Sequence, residues 1–258
     1  MTMSDPTTSD PTMVRTPMPA AGPALRALYR LVLRHQVTTA RLALFALVAG
    51  VSLVVALLVG SRSADRLADT TGFVAVLGLG LIVPVVSLVL GSAALGEWID
   101  DETLVYVWLR PVRRLWIALG ATAAALTVSV PVTVIPLTAA AAIGSGGDLD
   151  VVTGTLVSTL WASVAYTGLF VLAGLVLRRA LLWGLVYVFV WEFFVARSGA
   201  GAARLSINTY AASLLARFTD VDLPLAERAL WTSYLVPVAV AAVALALTTW
   251  RLNRASVA

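Results

Sequence analysis

The 258-residue chain has no cysteine, which excludes disulfides, thiolate metal sites and thiol nucleophiles together. Its one histidine is His35, so a His-based metal centre, a Ser-His-Asp triad and an imidazole proton relay each lack their parts. Lysine is missing as well, since all eighteen basic residues are arginine. A Walker A loop, GxxxxGK followed by Ser or Thr, is therefore impossible, and any ATP used must be bound by another polypeptide. Charged residues make up only 12% of the chain against 60% hydrophobic ones. The net charge of +4 is spread over segments flanking apolar runs, which is the ordinary positive-inside bias and does not indicate nucleic-acid binding.

What the chain does have is long apolar runs. About 20 apolar residues cross roughly 30 Å of hydrocarbon as a helix. Six stretches approach or exceed that length: Leu42 to Gly60, Gly72 to Leu95, Leu115 to Ile143, Val151 to Leu177, Ala180 to Ala196 and Trp231 to Trp250. They are continuous and rich in Ala and Leu, without the period-two alternation of lipid-facing barrel strands. The expected fold is an all-α integral membrane protein with six transmembrane helices, in contact with membrane lipids.

Residues 1–23 contain five prolines, many Ser and Thr and no apolar period, as expected of a disordered tail. Met13 and Met18 are further candidate starts, and the tail does not have the form of a signal peptide. Residues 24–258 are expected to form a single six-helix transmembrane domain. Within 24–41, Arg26, Arg30 and Arg34 recur every four residues while Leu25, Leu28, Tyr29 and Val32 share another face. This pattern predicts an amphipathic helix lying in the membrane interface, the alternative being a cytosolic extension of the first span.

Arginine counts in alternate connections give twelve on the side of both termini against six on the other. That excess predicts both termini in the cytoplasm and a multi-pass protein of the plasma membrane. The short Gly144 to Asp150 loop, with two aspartates and no arginine, agrees. Trp116, Trp183 and Trp250 would then lie at the inner interface and Trp231 at the outer one.

Pro84, Pro131, Pro136 and Pro237 fall inside predicted spans, where each removes a backbone hydrogen bond and can bend a helix. Gly154, Ser158 and Ala162 make a small-residue stripe that could admit a neighbouring helix. In the outer loop, 197–230, Tyr210, Leu214, Leu215 and Phe218 recur at helical spacing. Asp222, Leu223 and Pro224 read as a second helical start before Leu225. These are either half-membrane helices or loose interfacial ones. Glu192 is the acidic residue well inside a predicted span, and such a carboxylate is a candidate for a pathway or gating role. The alternative is snorkelling, or pairing with an arginine such as Arg197.

The densest charge lies in the connector GEWIDDETLVYVWLRPVRR, Gly96 to Arg114. Glu97, Asp100, Asp101 and Glu102 open it, an apolar run from Leu104 to Leu109 follows, and Arg110, Pro111, Arg113 and Arg114 close it. Glu97, Asp100 and Asp101 would share one face of a helix, which Pro111 would stop. Such a helix could dock into a soluble partner; a solvated charged turn is the plainer alternative.

The string DDETLVYVWLRPVRRLWIALG resembles the cytoplasmic segment after the second span of type 2 ATP-binding-cassette (ABC) transporter permeases. The resembling elements are an acidic group at Asp100 and Asp101, a Thr-Leu pair at Thr103 and Leu104, and a Pro-Val-x-Arg element at Pro111, Val112 and Arg114. Six spans, an N-terminal interfacial helix and a long outer loop before the last span are similar to that family's layout. The chain departs from it at Glu102, where the family often has Gly, and in having no Lys after the Pro-Val-x-Arg element. The resemblance implies a coupling helix gripped by a cytosolic ABC ATPase subunit, with Glu97, Asp100, Asp101, Glu102, Thr103, Leu104, Pro111, Arg113 and Arg114 at that contact. It further implies a dimer, with itself or a related permease, and ATP and Mg bound in the partner rather than in this chain. An accessory membrane scaffold would fit the same connector. A membrane-embedded lipid enzyme fits less well, because Glu192 is nearly alone as a reactive group at membrane depth.

Overall fold

The computed structural model describes residues 21–36, 38–62, 65–100, 113–224 and 228–254. All secondary structure among them is helical. In chain order the helices are α1 (Ala21–Gln36), α2 (Thr39–Arg62), α3 (Arg66–Phe73) and α4 (Val83–Asp100), the last two joined by a π-helical stretch, Val74–Ile82. Then come α5 (Arg114–Ser145), α6 (Leu149–Val176), α7 (Ala180–Val186) with a second π stretch, Tyr187–Val195, then α8 (Ala200–Ala203), α9 (Ile207–Thr219) and α10 (Leu230–Arg254).

Among the described residues, five helices are long and apolar enough to cross a membrane: Arg41–Ser61, Arg66–Gly96, Arg114–Ser145, Leu149–Val176 and Leu230–Arg254. These match five of the six expected runs. The remaining run is realised as Ala180–Val195, below membrane length; its seven α-helical and nine π-helical residues reach at most about 24 Å. The expected tail falls largely in 1–20, outside the described residues, and α1 starts at Ala21.

Specific contacts fix the direction of each helix. Ser129 and Thr133 of α5 meet Thr167 and Ser163 of α6 through hydroxyl pairs at 2.9 and 2.8 Å, so these two helices are antiparallel. Their turn is closed by left-handed Gly146 and Gly147, at φ 74° and 90°, with Gly147 N–H donating to the Ala142 carbonyl at 2.8 Å. Asp148 then caps α6 by accepting from Asp150 and Val151 N–H, both at 3.0 Å. The Trp161 indole donates to the Tyr234 carbonyl at 3.0 Å, and Gly168 packs on Ala241, so α10 runs parallel to α6. Gly91 lies on Thr167 and Gly96 on Gly174, which makes α4 parallel to α6 as well. Gly60 of α2 meets Gly144 at the far end of α5.

Both described ends of the chain consequently sit at one end of the bundle. Leu28 and Val32 of α1 join Ala94, Leu95, Ile117 and Leu252 in a single buried cluster. The amphipathic reading of α1 holds, with Arg26, Arg30 and Arg34 exposed and Val32 2% exposed. Its apolar face covers α5, where Leu28 meets Gly120 and the Tyr29 hydroxyl donates to Thr127 Oγ1 at 3.1 Å.

The prolines divide into two groups. Pro131, Pro136 and Pro237 stay inside uninterrupted α-helices. Pro84 follows directly on the π stretch Val74–Ile82. A proline ring presses on the carbonyl four residues before it, here that of Gly80, and widening that turn relieves the pressure.

The central helices are the Arg66–Gly96 and Leu149–Val176 segments, 67% and 56% buried, whereas Arg41–Ser61 is 18% buried and faces outward. The two central helices approach so closely at Gly174 that an added Cβ would overlap the Ser92 backbone. Gly50, on the outward face of α2, has nothing near a Cβ position. Gly174→Val should therefore lower stability by about 1–3 kcal/mol, read as a fall in melting temperature in detergent, through overpacking. Gly50→Ala should leave it unchanged or slightly raised.

Candidate functional site

Glu192 is 1% exposed and lies in the second π stretch, Tyr187–Val195. Residues five apart on an α-helix point about 140° away from one another at 3.6 residues per turn. The i→i+5 bonding of a π-helix brings them to nearly the same side. Tyr187 thereby faces Glu192, and its hydroxyl donates to Oε1 at 2.9 Å.

The other partners come from the start of α9. Ile207 N–H donates to Oε1 at 3.3 Å, and the Ser206 hydroxyl donates to Oε2 through a short contact. Ser206 is the N-cap of α9 and accepts from Thr209 N–H at 3.2 Å. Two of the four orphan donors at this helix start are satisfied by Glu192 and Ser206. Ile207 N–H can only donate, whereas the two hydroxyls could donate or accept, so the pocket demands an acceptor at Oε1 and holds the carboxylate through three donated bonds. The fully buried Tyr166 hydroxyl lies within electrostatic range of Glu192 and near the Asn208 backbone, but has no partner at hydrogen-bonding geometry.

Tyr166 fixes the depth of this cluster, because it lies about 15 Å from the Val176 end of α6 at 1.5 Å per residue. The Glu192 cluster is therefore internal to the bundle. The snorkelling and arginine-pairing alternatives are both overturned: the carboxylate is enclosed, and Arg197 lies over the Phe193 ring at 4.4 Å instead. From this depth α9 rises along α6 to place Phe218 against Gly154. The stripe containing Gly154 thus admits α9, with an added Cβ 2.7 Å from Phe218 Cβ.

The outer loop is partly as expected. Tyr210, Leu214 and Leu215 are buried on α9, which excludes a loose interfacial helix. The Tyr210 hydroxyl returns to the Arg204 carbonyl at 2.8 Å. Asp220 ends α9 in the left-handed region, at φ 50°, and Arg228 N–H donates to Ser213 Oγ at 3.2 Å. No helix starts at Asp222 to Pro224, and residues 225–227 lie outside the described ones.

Of the connector, Glu97 and Asp100 occupy the last turn of α4. They continue a long helix and do not open a separate one, a correction to the expected boundary at Gly96. Asp101, Glu102, Thr103, Leu104 and Pro111 lie outside the described residues. Arg113 is the exposed N-cap residue of α5, in extended conformation, and Arg114 is its first helical residue. The connector therefore leaves and re-enters the bundle at the end shared by α1 and the tip of α10, well away from Glu192. Among the described residues no cluster of His, Asp or Glu is placed to hold a metal ion.

The residues that sequence reasoning missed are Tyr187, Ser206 and Tyr166. A Ser immediately before the apolar helix start at Ile207 is a capping signal that points to Ser206; α-helical periodicity turns Tyr187 away from Glu192.

Replacing Glu192 by Leu would leave Ile207 N–H without an acceptor, and should cost about 1–3 kcal/mol by leaving a buried donor unmade. Hydrogen exchange should speed up at the Ile207 and Thr209 amides while the α6 amides stay protected. In a double-mutant cycle Ser206→Ala should show coupling to Glu192→Leu of at least about 0.5 kcal/mol; strict additivity would refute the shared network. No protein-family model matches the chain, and no curated protein matches its sequence.

Proposed function

We propose that the chain is the membrane-spanning permease subunit of an ABC transporter of exporter type. It works as a dimer and is driven by a separate ATPase docked on the 96–114 connector. ATP and Mg are bound by that partner, and this chain performs no hydrolysis. The observation that carries the proposal is the connector itself. An acidic helix end at Glu97 and Asp100 and a basic helix start at Arg113 and Arg114 flank a charged, aromatic-bearing segment at one end of an apolar bundle.

In this proposal that end is cytoplasmic, in line with the arginine excess, and both termini lie there. The parallel run of α6 and α10 requires the chain to travel from one bundle end to the other between Val176 and Leu230. The sixth crossing is then shared by Ala180–Val195 and α9, which meet at Glu192. Glu192 accordingly holds α9 in place and makes no contact with the ATPase.

The acidic group would face basic residues of the ATPase. Reversing Asp100 and Asp101 to Arg should abolish co-purification with the cognate ATPase while leaving the melting temperature of the isolated subunit unchanged. Retained association and transport in that variant would sink the proposal. ATP-driven transport by the reconstituted pair separates a permease from a scaffold, which would bind the ATPase and move nothing.

A further inference from the structure

At the end of the bundle where α4 and α6 finish, a recess of about 220 Å³ opens between α2, α4 and the turn from α6 into α7. Three arginines from distant parts of the sequence line it: Arg41 at the start of α2, and Arg178 and Arg179 in the turn. Arg41 is positioned by a hydrogen bond from Nη1 to the His35 carbonyl at 3.1 Å. Much of the remaining wall is apolar, with Val89, Leu175 and Leu181 among it, and none of the described lining residues is acidic.

We propose that this recess binds a phosphate ester, supplied as the anionic headgroup of a membrane lipid. Guanidinium groups suit phosphate because their fixed fork of N–H donors matches its oxygens. An apolar wall beside the arginines suits the glycerol and first methylenes of a chain that continues into the bilayer. The volume favours a headgroup over a whole molecule, since sites enclosing a small-molecule ligand run to roughly 300–1,000 Å³. Position agrees as well: basic pockets between membrane helices at the cytoplasmic interface are where anionic headgroups are held. Arg41 and the Arg178–Arg179 turn belong to helices that cross in different places, so an anion bridging them ties α2 to the start of α7. The inference rests on the membrane placement of the apolar helices and on the cytoplasmic orientation adopted above from the arginine excess, and not on the ATPase. An ATPase that failed to bind the connector would leave it untouched.

The test is native mass spectrometry of the full chain from micelles doped with equal phosphatidylglycerol and phosphatidylcholine. The wild-type chain should retain phosphatidylglycerol in preference, and Arg178→Gln with Arg179→Gln should weaken retention by roughly fivefold per arginine. Arg204→Gln, which removes the same charge from an exposed site at a distance from the recess, should retain the lipid fully. Because Arg178 and Arg179 are exposed turn residues, these variants should fold; Arg178→Glu alone provides a second reading of the same loss. Retention that survives millimolar inorganic phosphate identifies a lipid headgroup, whereas displacement by phosphate identifies a soluble phosphate ester in the same site. Equal retention of the two lipids by wild type, or undiminished phosphatidylglycerol in the arginine variants, would overturn the proposal.

Discussion

The carboxylate of Glu192 takes the place of water at the start of α9, and the architecture around it depends on that substitution. A helix that begins in the middle of an apolar bundle exposes N–H groups where nothing polar is at hand, and each unsatisfied group costs several kcal/mol in hydrocarbon. Glu192 accepts from Ile207 N–H and, through Ser206, supports the cap on Thr209 N–H. The helix macrodipole favours a negative group at this end. Because α9 can start at this depth, Ala180–Val195 need not traverse the whole bundle. The chain is free to reach Leu230 at the opposite end, and α10 to run parallel to α6.

Elsewhere the bundle combines buried apolar side chains such as Leu79, Leu137 and Phe170 with close backbone approach and hydroxyl pairs. Lipid tails are as apolar as leucine, so helix association in a membrane relies on backbone proximity and interhelical hydrogen bonds. Gly174 against Ser92 and Gly91 against Thr167 supply the first between α4 and α6. The Ser129–Thr167 and Thr133–Ser163 pairs supply the second between α5 and α6. These hydroxyls would be costly inside a bundle if left unmatched. Thr133 and Ser163 also sit within 2.8 Å of carbonyls four residues earlier on their own helices, so one of the two shares its hydrogen between a local carbonyl and the neighbouring hydroxyl, which accepts it.

Much of this was legible in the sequence, for a physical reason. A span needs only length and apolarity, and both are visible in a run such as Leu115 to Ile143. The amphipathic face of α1 and the helical spacing of Tyr210, Leu214 and Leu215 were equally plain. Depth was not. Periodicity tells which face of α9 is buried but not that the helix starts halfway through the bundle, so nothing in the sequence tied Glu192 to Ser206 and Ile207. The π stretches were invisible for a related reason: an extra residue per turn shifts the faces, and Tyr187 came to Glu192 by that shift. Reading the connector from its charges alone placed its boundary at Gly96. The helix instead continues to Asp100, since neither Gly96 nor the acidic residues break the backbone ladder.

The two unusual helical stretches are also neighbours. Val74–Ile82 brings Gly80 against Phe193 of Tyr187–Val195, the stretch that carries Glu192. Helix continues without interruption from Val74 to Asp100, so one rod joins the acidic edge of the connector to the support of the buried carboxylate. Interiors packed this closely are stiff and transmit displacement rather than absorbing it. The π turns are its compliant points, being wider and more weakly bonded than the α-helix around them. Under the transporter reading, a partner pulling on Asp100 would move this rod along Gly174 and press at Gly80.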